Sequence, residues 1–293
     1  MSLLPEMTDI VERHAQELDT VHPVPGLGLY RSDEPTLMVG AAYRPMLCLV
    51  VSGAKQTLLG ERLFTYGKGD CLVVSAELPV CGSVTEAPYR AVSVDLDPAT
   101  VSRIMLENGE AEIAEQAPPS GIQLGPLPED LLDPIARLVR LMDRQREIPV
   151  MAPMIQRELI WRLLNSAHGT TLRQIGSGAS RLAGVAKTIR WVRAHFAEPM
   201  RVEDLADMAG MSLSTFHRHF RTVTTMSPLQ FQKHVRLQEA RARLLAGGEG
   251  AAQAGFAVGY DSASQFSREY ARQFGAPPAR DAVRMRQGLV AAS

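Results

Sequence analysis

Cysteine is scarce in this 293-residue chain: Cys48, Cys71 and Cys81, an odd number without metal-ligand spacing. That argues against a disulfide framework and suits reduced thiols in a reducing compartment. Long apolar runs are missing too. The longest clean one, MLCLVV, is far short of a membrane span. Residues 1–20 carry Glu6, Asp9, Glu12, Glu17 and Asp19 without an apolar stretch, so they are not expected to form a signal peptide. A cytoplasmic protein with no membrane partner is expected. Histidine is absent between His22 and His168.

What is present is enough for two ordinary domains, and an apolar content of 45% can fill a core in each. The overall charge of -1 hides an asymmetry. Residues 185–289 hold 15 Lys and Arg against 9 Asp and Glu, a net +6, and the remainder carries -7. Only the C-terminal part is therefore suited to a polyanion.

From about Leu27 to Asp97, short apolar or alternating pieces (MLCLVVS, KQTLLG, RLFTYG, DCLVVSA, AVSVDLD) are punctuated by Gly, Pro and Asp. That pattern predicts an antiparallel sandwich or barrel, with Gly60, Gly67 and Gly69 free to take positive φ at turns. After Pro98 the apolar period changes to three and four. PATVSRIMLE, LLDPIARLVRLMDRQ and PMIQRELIWRLLNSA read as amphipathic helices with more apolar surface than a small sandwich needs, so part of it is expected to pack against a second copy of the chain. HGTTLRQIGSGAS, rich in Gly, Ser and Thr, reads as a linker.

The C-terminal part contains one unit twice. SLSTFHRHF (212–220) returns fifty residues later as SASQFSREY (262–270). In the first copy a helix carrying Val202, Leu205, Ala206 and Ala209 on one face is broken at Gly210, and Ser212 caps the next helix. Phe216 and Phe220, four apart, point back at the first helix and leave Ser214, His217, Arg218 and Arg221 outside. This is a helix-turn-helix whose second helix presents small polar and cationic groups that reach base edges. His217 and His219 cannot share a metal ion, because residues two apart on a helix point about 200° apart. A guanidinium fork such as Arg218 matches O6 and N7 of guanine. In the second copy Phe266 and Tyr270 take the inward places and Ser264, Gln265, Ser267 and Arg268 the outward ones. SPLQFQKHVRLQEARARLL joins the copies as one helical pattern, with Leu229, Val235, Leu237, Ala240, Leu244 and Leu245 inward and Lys233, Arg236, Arg241 and Arg243 outward. Such a helix can hold two reading heads about 34 Å apart, one turn of DNA.

LADMAGMSLSTFHRHFRTVTTMSPLQFQKHVRLQEAR followed by FAVGYDSASQFSREYARQFGAPPARD resembles the DNA-binding domain of the AraC/XylS family of transcription regulators over residues 185–286. The resemblance implies base-facing roles for Ser214, His217 and Arg218 in the first recognition helix and Ser264, Gln265, Ser267 and Arg268 in the second. It implies phosphate or flanking contacts for Thr215, Arg221 and Lys233. Ala251, Ala254 and Gly255 are smaller than the family's usual residues, which predicts a loosely packed second module.

LYRSDEPT, YRPMLCLVVSGAKQTLLGERLFTYGKGDCLVVSAELPV and VSVDLDP resemble the cupin-like N-terminal domain of one AraC subfamily. Within the family such domains bind a small effector, mediate dimerisation, or both. Metal-dependent cupin enzymes need two or three histidines plus a glutamate, and the histidine-free stretch does not supply them. No metal, cofactor or catalytic residue is therefore expected. Alternating strand positions make Tyr30, Arg31, Arg44, Cys48, Cys71 and Cys81 candidates for an effector cavity. Cys48 or Cys71 could serve as a sensor of electrophiles or oxidants only if its thiol pKa were lowered.

The resulting expectation is an α+β multidomain chain: a cupin-like β-sandwich with flanking helices (1–167), a linker (168–183) and an all-α double helix-turn-helix (184–290). It is expected to be a homodimeric, effector-controlled regulator of transcription, by family habit an activator, that binds double-stranded promoter DNA. The rivals are a constitutive DNA-binding protein whose sandwich only dimerises, and a cupin enzyme tethered to DNA.

Overall fold

The alternating half of the sequence forms a seven-stranded antiparallel sheet in the computed structural model, which describes residues 3–15, 23–109, 117–247 and 249–291. Glu17, Asp19 and His22 lie outside the described residues. After helix α1 (Leu3–His14) come β1 (Leu27–Ser32), β2 (Val39–Tyr43), β3 (Met46–Leu59), β4 (Arg62–Gly67), β5 (Asp70–Val74) and β6 (Leu78–Asp95), with β7 (Ile122–Pro126) later in the chain. MLCLVVS and KQTLLG are one long strand rather than two. β3 runs through both and pairs with the equally long β6, with register shifts between Val50 and Lys55. Gly53, at φ +71° inside that irregular stretch, admits the bend because a Cβ there would strike the Glu86 carbonyl. One half of the β3–β6 pair is flanked by β1 and β5, the other by β2 and β4. The bend turns the two halves toward each other. Gly60 and Gly69 take positive φ at the turns as expected, whereas Gly67 ends β4 without it.

Helices α2 (Pro98–Glu107), α3 (Glu129–Arg140), α4 (Ile148–Leu164) and α5 (Gly169–Gly176) follow. Asp97 caps α2, its Oδ2 accepting the Thr100 amide at 2.9 Å. α1 packs on β1, β3 and β6, and α2 packs on α4 and α5. The stretch read as a linker holds α5, in which Leu172 and Ile175 are buried. Its glycines serve close packing rather than freedom: a Cβ on Gly169 would collide with the Leu164 carbonyl, and one on Gly176 would sit 2.7 Å from Val101.

The remaining chain is helical: α6 (Arg181–Ala194), α7 (Val202–Met208), α8 (Leu213–Thr224), α9 (Pro228–Ala246), α10 (Ala251–Ala257), α11 (Ala263–Phe274) and α12 (Pro278–Ala291). One continuous apolar core runs from α1 through the sheet and α2–α6 into the first helix-turn-helix, as far as Phe231 and Val235 of α9. Further along α9, Leu237, Ala240 and Leu244 belong to a second core with Val258, Tyr260, Phe266 and Tyr270. Among the described residues no helix is long and apolar enough to cross a membrane.

Candidate nucleic-acid interface

The two copies of the repeat fold alike. Ser212 Oγ accepts the Thr215 amide and Ser262 Oγ accepts the Gln265 amide, each at 3.4 Å, so both recognition helices start on the same cap. Gly210 (φ +64°) and Gly259 (φ +88°) make the preceding turns. Phe216 and Phe220, ring centroids 5.4 Å apart, are fully buried in α8, as are Phe266 and Tyr270, 5.5 Å apart, in α11. Aromatic pairs of this kind contribute about 0.5–1.5 kcal/mol beyond the area they bury. In the second copy Gly255 lets Phe266 approach to where a Cβ would sit 2.8 Å from its ring. The small residues of α10 thus make room for a ring.

This packing leaves one face of each recognition helix in solvent. Ser214, His217, Arg218 and Arg221 are exposed on α8, with Thr215 half-buried beside them. Ser264, Gln265 and Arg268 are exposed on α11, and Ser267 is half-buried. Among the described residues no carboxylate lies within 4.0 Å of Arg218, Arg221 or Arg268. Their charge is available to a polyanion. His219 turns inward, where burial and the charges of Arg218 and Arg181 lower its pKa and its Nδ1 has no hydrogen-bond partner among the described residues. It therefore faces away from exposed His217.

Three cations of α9 expected on its outer face are engaged elsewhere. Lys233 Nζ pairs with Glu269 of α11 at 3.3 Å, which links the modules instead of leaving the ammonium for phosphate. Arg236 donates to the carbonyls of Phe196, Ala197, Glu198 and Gly259. Arg241 is buried against Asp281 at 2.9 Å, and Tyr270 donates to the same carboxylate. Burial tends to raise the Asp281 pKa, and its bonds with Arg241, Tyr270 and Arg284 outweigh that and lower it. Leu229, expected inward, is exposed, because the helix turns that position away from both cores.

The helical C-terminal part touches the N-terminal sheet directly, which no sequence period signalled. Thr225, at the end of α8, donates through Oγ1 to the Leu59 carbonyl at 2.7 Å. Gln238 of α9 donates to the Val80 carbonyl at 2.8 Å, and Arg241 to the Met38 carbonyl at 3.1 Å. His234 Nε2 and Nδ1 each lie 3.2 Å from a glutamine amide, Gln238 and Gln273 respectively, so a polar chain runs from α11 through α9 to β6.

The six candidate pocket residues do not share one cavity. Tyr30 and Cys48 lie on the inner face of the folded sheet, where Tyr30 and Ser93 hydroxyls meet at 3.3 Å and Cys48 pairs in register with Ser93. Cys71 pairs with Leu49, the neighbour of Cys48, and so points to the opposite face. Cys81 Sγ is 3.7 Å from Gln238 on the reader side. Arg31 pairs with Asp33 and Arg44 with Asp95 near the surface. Burial pushes the Cys48 thiol up to about 11 and the Cys71 thiol up to about 12, the reverse of what a reactive cysteine requires.

Residues 23–171 match the family model described as AraC-type transcriptional regulator N-terminus, and residues 205–282 match that of a helix-turn-helix domain. The chain belongs to the AraC-type family of transcriptional regulators. Within this AraC-type chain the helix-turn-helix match covers both recognition helices. The chain is 26% identical over 162 residues to the HTH-type transcriptional activator RhaS of Escherichia coli O1:K1, covering 55% of this chain and 57% of that protein. It is 32% identical over 90 residues to RhaS of Escherichia fergusonii, 31% of this chain and 32% of that one. The matched region thus spans little more than half the length of these curated relatives, or less. In fold the chain is similar to ToxT from Vibrio cholerae, with a TM-score of 0.54 at 11% identity, covering 88% of this chain and 97% of that one.

Proposed function

We propose that this AraC-type chain is a sequence-specific regulator of transcription that grips two successive major-groove segments of promoter DNA with α8 and α11 and answers to a small-molecule effector. The observation that carries the reading is the contrast among cations: Arg218, Arg221 and Arg268 are exposed with no carboxylate partner among the described residues, while Lys233, Arg236 and Arg241 hold the domain together. Arg218 and Arg268 take base edges together with Ser214, His217, Ser264, Gln265 and Ser267, and Arg221 and Thr215 take phosphates. Effector control draws its support from the sensor's hydrogen bonds to α8 and α9, through which a change in the sheet reaches the reader. Such control requires that the effector bind two arrangements of the chain with different affinity. A homodimer is supported by Val150, Met154 and Trp161, exposed apolar residues of α4. Activation is the role that fits the relatives named RhaS.

The test is the binding of the full chain to genomic promoter fragments against scrambled competitor across a salt series. Selective retention of a set of fragments upholds the reading. Equal affinity for all sequences, with salt dependence alone, ends it.

A further inference from the structure

Gln265 lies one turn before Glu269 on α11, and its side-chain amide donates a hydrogen bond to the Glu269 carboxylate. That carboxylate is itself held from two other elements. Tyr260, in the turn before α11, donates to its Oε2 at 2.9 Å, and Lys233 Nζ of α9 lies 3.3 Å from its Oε1. Both holders are anchored in the fold. Tyr260 is buried with its ring edge-on to Phe266, centroids 5.4 Å apart, and Arg236 of α9 donates to the adjoining Gly259 carbonyl at 2.9 Å. Burial tends to raise the Glu269 pKa, and the bonds from Tyr260, Lys233 and Gln265 outweigh that and lower it, so the group is an anion at neutral pH.

An unattached glutamine amide turns over freely about its last bond, so it can show a base either its oxygen or its NH2. Glu269 removes that freedom. A carboxylate only accepts, so the amide keeps its NH2 end toward Glu269 and its oxygen is repelled toward the exposed side of α11. What remains for a base is one acceptor and one N–H. Adenine offers the complement, N6–H and N7, whereas guanine offers O6 and N7, two acceptors that require two donors. A glutamine bound to Glu269 cannot turn its NH2 outward to guanine without breaking that bond. In the first copy the matching places hold Thr215 and the buried His219, and Thr215 Oγ1 accepts from Ser212 at 3.0 Å instead. The orienting carboxylate belongs to the second helix-turn-helix.

We propose that Glu269 is a positioning residue for base recognition: anchored by Tyr260 and Lys233, it holds the Gln265 amide with its oxygen toward the groove and makes that position select adenine over guanine. Glu269 itself touches no base and acts through Gln265. This deepens the regulator reading above and rests on it. It also gives Lys233 a part in sequence preference, although its ammonium meets a carboxylate rather than a phosphate.

The experiment is selection of bound sequences from a randomised pool of double-stranded DNA by the full chain, as the natural protein, Gln265→Ala and Glu269→Gln. Gln265→Ala marks the base pair that Gln265 reads, as the one position whose preference it erases. The expected result there is an A·T pair over a G·C pair by about tenfold in the natural protein. Glu269→Gln keeps the size of the side chain but not the constraint, since its own amide can donate or accept. The A·T preference should fall to within about threefold, with the other positions under α8 and α11 unchanged. A Glu269 that only supports the fold would instead weaken every position under α11 together. If Glu269→Gln does not fold, the natural protein decides: replacing the selected adenine by purine, which lacks the N6 amino group, or by 7-deazaadenine should each weaken binding about threefold or more. A G·C pair or no preference at the Gln265 position, no position erased by Gln265→Ala, a Glu269→Gln profile equal to the natural one, uniform loss under α11, or indifference to both analogues overturns the proposal and leaves the regulator reading standing. No preferred sequence for the natural protein ends the regulator reading itself.

Discussion

Thr225 holds φ at +63° and donates its hydroxyl to the Leu59 carbonyl, so the last turn of one recognition helix is tied to the hairpin between β3 and β4. The equivalent position in the second copy is Gly275, at φ +74°. A threonine in the left-handed region costs about 1–2 kcal/mol, and a net hydrogen bond returns about 0.5–1.5 kcal/mol. Thr225→Val keeps the strain and loses the bond, and is expected to destabilise the chain by about 1–2 kcal/mol. Thr225→Gly loses both and should stay within about 1 kcal/mol of the natural protein. Denaturant unfolding of the pair checks the order, and a glycine variant less stable than the valine one would contradict it.

Acid should loosen the contact between the helical C-terminal part and the N-terminal sheet. Burial lowers the His234 pKa to about 4, below the roughly 6.5 of an unfolded chain. The unfolded state therefore binds more protons between those values. The contribution is fully present above about 6.5 and is lost as pH falls toward about 4. Both ring nitrogens face glutamine amide nitrogens, which only donate, so a neutral imidazole accepts from one of them and an imidazolium, with two donors, accepts from neither and breaks the chain. His234→Gln, which does not titrate, should flatten the fall of the thermal midpoint between pH 7 and pH 5.

On DNA, three cations should behave in three ways. Arg218→Ala is expected to relax preference at one base position at a cost of about 1–3 kcal/mol. Arg221→Ala should weaken all sequences alike and shallow the log-affinity against log-salt slope by about one unit. Lys233→Met should change that slope far less, because its ammonium is already paired with Glu269. Fluorescence anisotropy over a salt series, on one selected fragment and one scrambled fragment, distinguishes them.

Native Cys48 and Cys71 should resist chemistry. With both thiols pushed up by burial, mild peroxide or iodoacetamide at neutral pH should give no adduct by mass spectrometry and leave DNA binding unchanged. Rapid modification of either in the folded chain would reverse that assignment.

The helix-turn-helix was legible because its signal is local: caps, a turn glycine and aromatics four apart fix one face within nine residues. The α9 cations were not, because a helical period says which side a residue leaves from but not what meets it there. Arg241 leaves outward and finds Asp281 forty residues later. α5 was misread for a related reason. Composition cannot separate a glycine that loosens a chain from one that admits a neighbour's backbone, as Gly169 does.

The two recognition helices are not equals, since the first is built into the apolar core of the N-terminal sheet and the second has a core of its own. A fragment cut just before α6 would leave the far core intact and strip the near one of the sheet and helices it packs on. With the near helix sharing the larger core and the far one held through α9, tolerance for altered operator spacing should lie with α11.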